Sequence, residues 1–276
     1  MTTPPLEAMF KRILLPLDAG AADAASLEAA IRLAARFRAE VVGIFVEDED
    51  LMRLAALPFA RETAPLSAVT RRLNPDAMAR ALRARAEVLR ARLQERALEA
   101  QVAWSFRVVQ GGLLAEQLGE SAASDLLILE IGGRRTVRVT GHDFSRGACT
   151  VWLRRALAVD GRPVVALFDD APSNRRVLAV ASQFANRDGK HLLVMVSAGD
   201  HAEFERRAGQ AGAALAADGV EAEFRPLARE AATNLIQVVA AARGKLLVIG
   251  RDSPLASGAA YQRLLEDLPC EVVLAG

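Results

Sequence analysis

The chain has 276 residues, 52% of them hydrophobic and 25% charged, with a formal net charge of +1, a composition too apolar for a disordered or polyelectrolyte chain and typical of globular domains. Near-neutral charge removes any bulk attraction to nucleic acid or to a membrane surface. Residues 1–12 carry no signal-peptide pattern and no run of eighteen apolar residues occurs, so a cytoplasmic location is expected.

Taken in chain order, residues 12–18 (RILLPLD) are an apolar run closing on Asp18, the pattern of a strand buried on both faces. Pro16 breaks a local rule there, since proline removes a ladder hydrogen bond; its place near the carboxyl end of the run keeps the strand. Leu27, Ala30, Ile31 and Ala34 follow at helical spacing, and residues 40–46 (EVVGIFV) predict a second strand. Residues 47–75 open on EDED and contain Pro58, Pro65 and Pro75, which predicts a long ordered loop or lid inserted into the pattern. Met78, Leu82, Ala86, Leu89, Leu93 and Ala97 form a helical stripe, followed by a strand over 102–109, a helix over 113–123 and a strand over 126–131 (LLILEI). Residues 145–158 read as helical, which leaves the first half without a fifth strand.

The same series then begins again. Residues 163–169 (PVVALFD) end on Asp169, and Val177, Val180, Ala181 and Phe184 mark the helix after it. The run at 190–196 (KHLLVMV) starts 21 residues after Asp169, where 40–46 starts 22 residues after Asp18. Phe204, Ala208, Ala211 and Leu215 form the next stripe, with Gly219 placed to stop that helix. A strand over 220–226, a helix over 231–242, a strand over 246–250 (LLVIG) and a closing strand over 271–275 (EVVLA) complete it. Strand and helix alternate throughout, which predicts parallel sheets with helices on both faces. The expected domains are residues 1–160, carrying the 47–75 insert, and residues 161–276.

Motifs for other chemistries are missing. Cys149 and Cys270 have no CxxC or CxxH neighbour and read as buried thiols. His142, His191 and His201 have no histidine or cysteine at i+3 or i+4, so no metal centre is expected. Neither GxSxG nor GxxxxGK[ST] occurs. Arg80, Arg83, Arg85, Arg90, Arg92 and Arg96 crowd one predicted helix, but Glu87, Glu95 and Glu99 are interspersed and aromatic residues for base stacking are absent there, so a solvated face is expected and no nucleic-acid partner.

The runs ILLPLD, EVVGIFV and LLILEIGGR, repeated as PVVALFDD, KHLLVMV, LLVIGR and LPCEVVLAG, resemble the universal stress protein family in tandem form, over nearly the whole chain outside the insert. That resemblance implies an α/β fold of two doubly wound parallel-sheet domains with strand order 3-2-1-4-5, the first lacking strand 5, joined as an intramolecular pseudo-dimer or assembled as a homodimer. It also implies a nucleotide site for ATP, ADP or AMP, with an aspartate at the end of the first strand and a glycine-rich loop after the fourth. Glycines there let backbone N–H groups approach phosphate oxygens, and the next helix N-terminus adds partial positive charge.

In the first half the matching positions are Asp18, Val46, Gly132, Gly133, Arg135 and Gly147; Arg135 stands where the second loop glycine belongs, and Ala148 after Gly147 lacks the expected hydroxyl. In the second half they are Asp169, Gly250 and Ser253, with Pro254 next and a shorter loop. Each aspartate reads either as a ribose or adenine contact or as a cap for the following loop. The 132–135 cluster reads either as an anion site or as a turn with solvated arginines. The resulting expectation is a non-catalytic stress-response binding module with degenerate nucleotide loops, no metal, and a protein partner engaged through its surface or the insert. The alternative is an ATP-binding or ATP-hydrolysing enzyme of the same superfamily. A detached regulatory subunit of a transporter is a third class.

Overall fold

The computed structural model describes residues 9–17, 24–47, 49–63, 70–110, 122, 124–131, 149–155, 163–186, 191–228, 232–268 and 270–276. Two compact units divide the chain, one spanning Glu7–Gln117 and one built on Leu118–Gly276.

In the first unit β1 (Arg12–Leu17), β2 (Glu40–Glu47) and β5 (Trp104–Gln110) run parallel, with β2 in the middle. Pro16 lies within β1 opposite Ile44. The ladder to β2 runs through the odd-numbered residues of β1, because Glu40 N–H donates to the Lys11 carbonyl, so the missing Pro16 N–H costs that ladder nothing. Helix α1 (Ala24–Phe37) buries Leu27, Ala30, Ile31 and Ala34. The 47–75 insert is more than a loop: it contains helix α2 (Glu49–Ala56) and an antiparallel hairpin, β3 (Arg61–Thr63) with β4 (Thr70–Arg72). Helix α3 (Pro75–Glu99) starts on Asn74, whose Oδ1 accepts from the Asp76 and Ala77 N–H groups at 2.9 and 3.2 Å, with Pro75 in the first turn. Its buried stripe is Leu82, Ala86, Leu89, Leu93 and Ala97. Gly43 makes room for it: a Cβ there would lie 2.7 Å from Leu93 Cδ2 and 3.0 Å from Phe106 Cδ2.

The second unit contains β6 (Asp125–Ile131), β7 (Thr150–Arg155), β8 (Val164–Phe168), α4 (Asn174–Asn186), β9 (Leu192–Ala198), α5 (His201–Ala217), β10 (Ala222–Ala228), α6 (Ala232–Ala241), β11 (Leu246–Gly250), α7 (Gly258–Asp267) and β12 (Glu271–Ala275). Across its sheet the order is β10-β9-β8-β11-β12-β7-β6. The five strands after residue 160 therefore lie in the order 3-2-1-4-5, all parallel. Helix α5 is stopped at Gly219, which takes a φ of +68° that glycine tolerates without steric cost.

One expectation fails. Within the stretch 145–158 expected to be helical, the described residues 149–155 are not, and the first half does not lack a fifth strand: Thr150–Arg155 is β7, parallel to β6 and antiparallel to β12. TVWLRR is a short apolar run rich in β-branched and aromatic residues, which periodicity alone does not separate from helix. Sheet burial on both faces decides it, with Val151 and Leu153 fully buried and Trp152 nearly so. The β7–β12 seam is tied by polar groups in the core. Trp152 Nε1 donates to Glu271 Oε2 at 3.0 Å, and Arg154 Nε lies 3.5 Å from Glu271 Oε1. The Arg154 guanidinium sits 5.4 Å from the Trp152 ring centroid, and the Trp152 ring meets Phe184 edge to face. Burial raises the Glu271 carboxyl above its ordinary value of 4.5, against the opposing pull of Arg154, Lys245 and the Trp152 hydrogen bond.

Candidate functional site at the ends of β8 and β11

Strands β8 and β11 are neighbours, but β8 leads through α4 to β9 on one side while β11 leads through α7 to β12 on the other. This reversal of chain order makes their carboxyl ends a topological switch point, where open α/β sheets bind ligands. Asp169 follows β8 directly, and Gly250 ends β11, with Asp252 and Ser253 just beyond.

The crevice between them is filled by the chain itself. Asp169 Oδ1 accepts from the Ala171 N–H at 2.9 Å, and Asp169 Oδ2 accepts from Ser253 Oγ at 2.5 Å. The backbone of Asp169 is also held, its N–H donating to Asn174 Oδ1 at 3.3 Å and its carbonyl accepting from Asn174 Nδ2 at 2.6 Å. Ser253 is buried and caps a single 3-10 turn, Pro254–Ala256, by accepting from the Leu255 N–H at 3.2 Å. A second tie crosses beside the first: Asp252 accepts from Ser173 Oγ and, at 3.1 Å, from the Ser173 N–H. Gly250 passes beneath this pair so closely that a Cβ would run into Ser173 Oγ and lie 2.9 Å from Asp252 Oδ1. Here glycine admits the chain's own side chains.

Neighbouring groups close the rest of the rim. Arg251, which follows Gly250, turns away and donates to the Cys149 carbonyl, while its N–H donates to the Ala275 carbonyl at 2.8 Å. Above β8 and β9, the buried Arg207 of α5 donates to the Ser197 carbonyl at 2.8 Å, pairs with Asp170, and lies 2.9 Å from Glu203 Oε1. Glu203 Oε2 accepts from the Gly199 N–H at 2.7 Å, and Asp200 Oδ1 accepts from the Glu203 N–H at 2.7 Å, so the start of α5 is a closed set of caps.

The structure thus brings Asp169, Gly250 and Ser253 together. Among the first-half positions, Val46 is half-buried near the end of β2, opposite Val109; Asp18, Gly132, Gly133, Arg135 and Gly147 lie outside the described residues. Sequence reasoning missed Ser173, Asp252 and Arg207. Arg207 carries a faint signal, since a basic residue four positions after Glu203 and inside an apolar stripe is placed for a buried pair. The contact of Ser173 with Asp252 spans 79 residues and leaves no local signature. No set of three His, Cys, Asp or Glu side chains among the described residues is arranged to hold a metal ion, and no described helix is long and apolar enough to cross a membrane.

No family model matches the chain, and no curated protein matches it. Solved structures do. A universal stress protein from Archaeoglobus fulgidus DSM 4304 aligns over 96% of this chain and 98% of its own, with a TM-score of 0.64 and 11% identity. A putative universal stress protein from Pseudomonas aeruginosa UCBPP-PA14 aligns over 98% and 94%, with a TM-score of 0.60 and 16% identity. The cytoplasmic domain of a prokaryotic cation chloride cotransporter aligns over 96% and 95%, with a TM-score of 0.51 and 14% identity. At such identities the likeness is one of architecture, and it establishes that this chain has the α/β fold of the universal stress proteins.

Proposed function

We propose that the protein is a non-catalytic binding module of tandem universal stress type, in which the second half has given up nucleotide and the first binds it weakly or not at all. One observation carries this reading: both carboxylate oxygens of Asp169 already accept hydrogen bonds from the chain, from Ala171 N–H and Ser253 Oγ. A ribose or adenine donor would have to compete for the remaining lone pairs of a carboxylate already tied on both oxygens, and displacing the buried Ser253 without replacement would cost about 1–3 kcal/mol per bond. Phosphate fares no better. The position after Gly250 is Arg251, directed at Cys149, and the next two side chains, Asp252 and Ser253, are committed to Ser173 and Asp169.

Function then resides in surfaces, with the 47–75 insert a candidate for engaging a protein partner. Calorimetric titration of the full chain with ATP, ADP and AMP at millimolar concentration tests the nucleotide part. At most one weak site is expected, unchanged in Asp169→Ala. Two sites per chain, or a site lost in Asp169→Ala, would overturn the reading. ATP turnover that disappears in Asp18→Ala would move the protein to the enzyme class.

A further inference from the structure

Among the described residues strand β5 is an edge of its sheet and pairs only with β2, and the parity of that ladder identifies which of its groups are left over. Val41 N–H donates to the Ala103 carbonyl, so the bonds to β2 run through residues 103, 105, 107 and 109, as the even spacing of a parallel ladder requires. The N–H and C=O groups of Trp104, Phe106, Val108 and Gln110 therefore point away from the sheet. Natural proteins blunt such edges with proline, charge or a covering element. At its own unit's edge, β10 carries Pro226 and a Glu223–Arg225 ion pair. In β5 (WSFRVVQ) there is no proline, one charge, and Val108 is 51% exposed.

We infer that β5 is an interface for a second copy of this chain, joined edge to edge and antiparallel about a two-fold axis through Phe106. The occupant follows from the groups on offer. Outward donors alternating with outward acceptors along Trp104, Phe106, Val108 and Gln110 are complemented by another strand, and the same edge on a second copy is self-complementary. Centred on Phe106, the outward residues meet in hydrogen-bonded pairs: Phe106 with the partner's Phe106, and Trp104 with the partner's Val108 in both directions. Each pair exchanges two bonds, so the outward groups of Trp104, Phe106 and Val108 are satisfied and Gln110 lies beyond the paired segment. This register also sets Arg107 against the partner's Ser105, avoiding the like-charge pair that centring on Arg107 would create. Trp104, itself half-exposed, crosses the seam onto the exposed Val108, an aromatic with β-branched pair of the kind that stabilises sheets.

Sedimentation of the full chain across the micromolar range tests the interface. The wild type is expected to dimerise and Val108→Pro to weaken dimerisation at least tenfold; at concentrations where both are monomeric the two melting temperatures are expected to agree, because the lost N–H points outward and serves no bond to β2. Val108→Lys, which adds a charge to the same edge, reads the same interface should the proline variant not fold. Register is read by Ser105→Cys/Arg107→Cys. These positions form a non-hydrogen-bonded pair about 4.5 Å apart between Cα atoms across the seam, within disulfide reach, so mild oxidation is expected to give a covalent dimer. A wild type that stays monomeric, a dimer indifferent to Val108→Lys, or failure to crosslink would overturn the inference.

Discussion

The two units handle their surfaces and interiors in opposite ways. Six large apolar side chains are exposed among the described residues, Leu54, Leu57, Phe59, Val88, Leu98 and Val108, and all belong to Glu7–Gln117. Buried polar groups divide the other way: among the described residues Ser26 is the only one in that unit, whereas Asp125, Arg154, Ser197, Arg207, Ser253, Glu271 and others lie in Leu118–Gly276. Burying a polar group is costly unless it is paired, and in the second unit Ser253 pairs with Asp169, Arg207 with Asp170 and Glu271 with Trp152. The first unit leaves these apolar side chains facing water.

The sharpest way to break this comparison is at the β7–β12 seam. Glu271→Leu removes the carboxylate facing Arg154 and the acceptor of Trp152 Nε1, and losing one partner of a buried ion pair costs about 3–5 kcal/mol. Replacing both groups by apolar ones of similar volume, as in Arg154→Met/Glu271→Leu, is expected to recover most of that loss, since a packed apolar pair dispenses with the desolvation of both charges. Urea denaturation of the two single variants and the double variant measures the coupling. If the three losses simply add, the seam is held by packing alone.

A smaller effect sharpens the same point through pH. Burial raises the Glu271 carboxyl above 4.5, so the folded chain holds this proton more tightly than the unfolded chain does. The stability contributed by that site is therefore complete below pH 4.5 and declines as pH rises through the elevated value. Glu271→Gln has no such proton, so its stability relative to the wild type should improve as pH is raised above 4.5. Paired denaturation curves at pH 4 and pH 7 check the sign. An unchanged difference would mean that Arg154 fully offsets the desolvation.

Comparable in size is the response to filling the two closest glycine contacts. Gly43→Ala in β2 presses on Leu93 and Phe106, and Gly250→Ala in β11 presses on Ser173 and Asp252, each at an expected overpacking cost of about 1–3 kcal/mol. The first meets flexible apolar side-chain ends, the second a hydrogen-bonded pair. Gly250→Ala is thus expected to lower the melting temperature further than Gly43→Ala, and the reverse order would mean that the Ser173–Asp252 tie yields easily.

What was legible in the sequence follows the range of the interactions. Apolar runs such as LLVIG and PVVALF announce buried strands because burial on both faces leaves a continuous local pattern, and the α3 stripe is legible for the same reason at helical period. TVWLRR misleads because its arginines suit a helix as well as a strand, and because its strand partners β6 and β12 lie outside the segment; the Trp152–Glu271 bond spans 119 positions. Asp169, Gly250 and Ser253 could be found by matching a repeat. That Ser253 would occupy Asp169 could not, since their contact spans 84 residues and depends on a shortened loop whose path is a tertiary outcome.

The smallest expected effect tests the other side of the comparison. Phe59 is 75% exposed in the turn after α2, so Phe59→Ser gives up little buried area, and surface substitutions of this kind stay within about 0.5 kcal/mol. Stability should hardly move, while retention on a hydrophobic column and binding of an apolar dye should both fall. A large loss of stability would mean that Phe59 is covered in solution, by the insert or by another chain, and that the apolar face of the first unit is already in use.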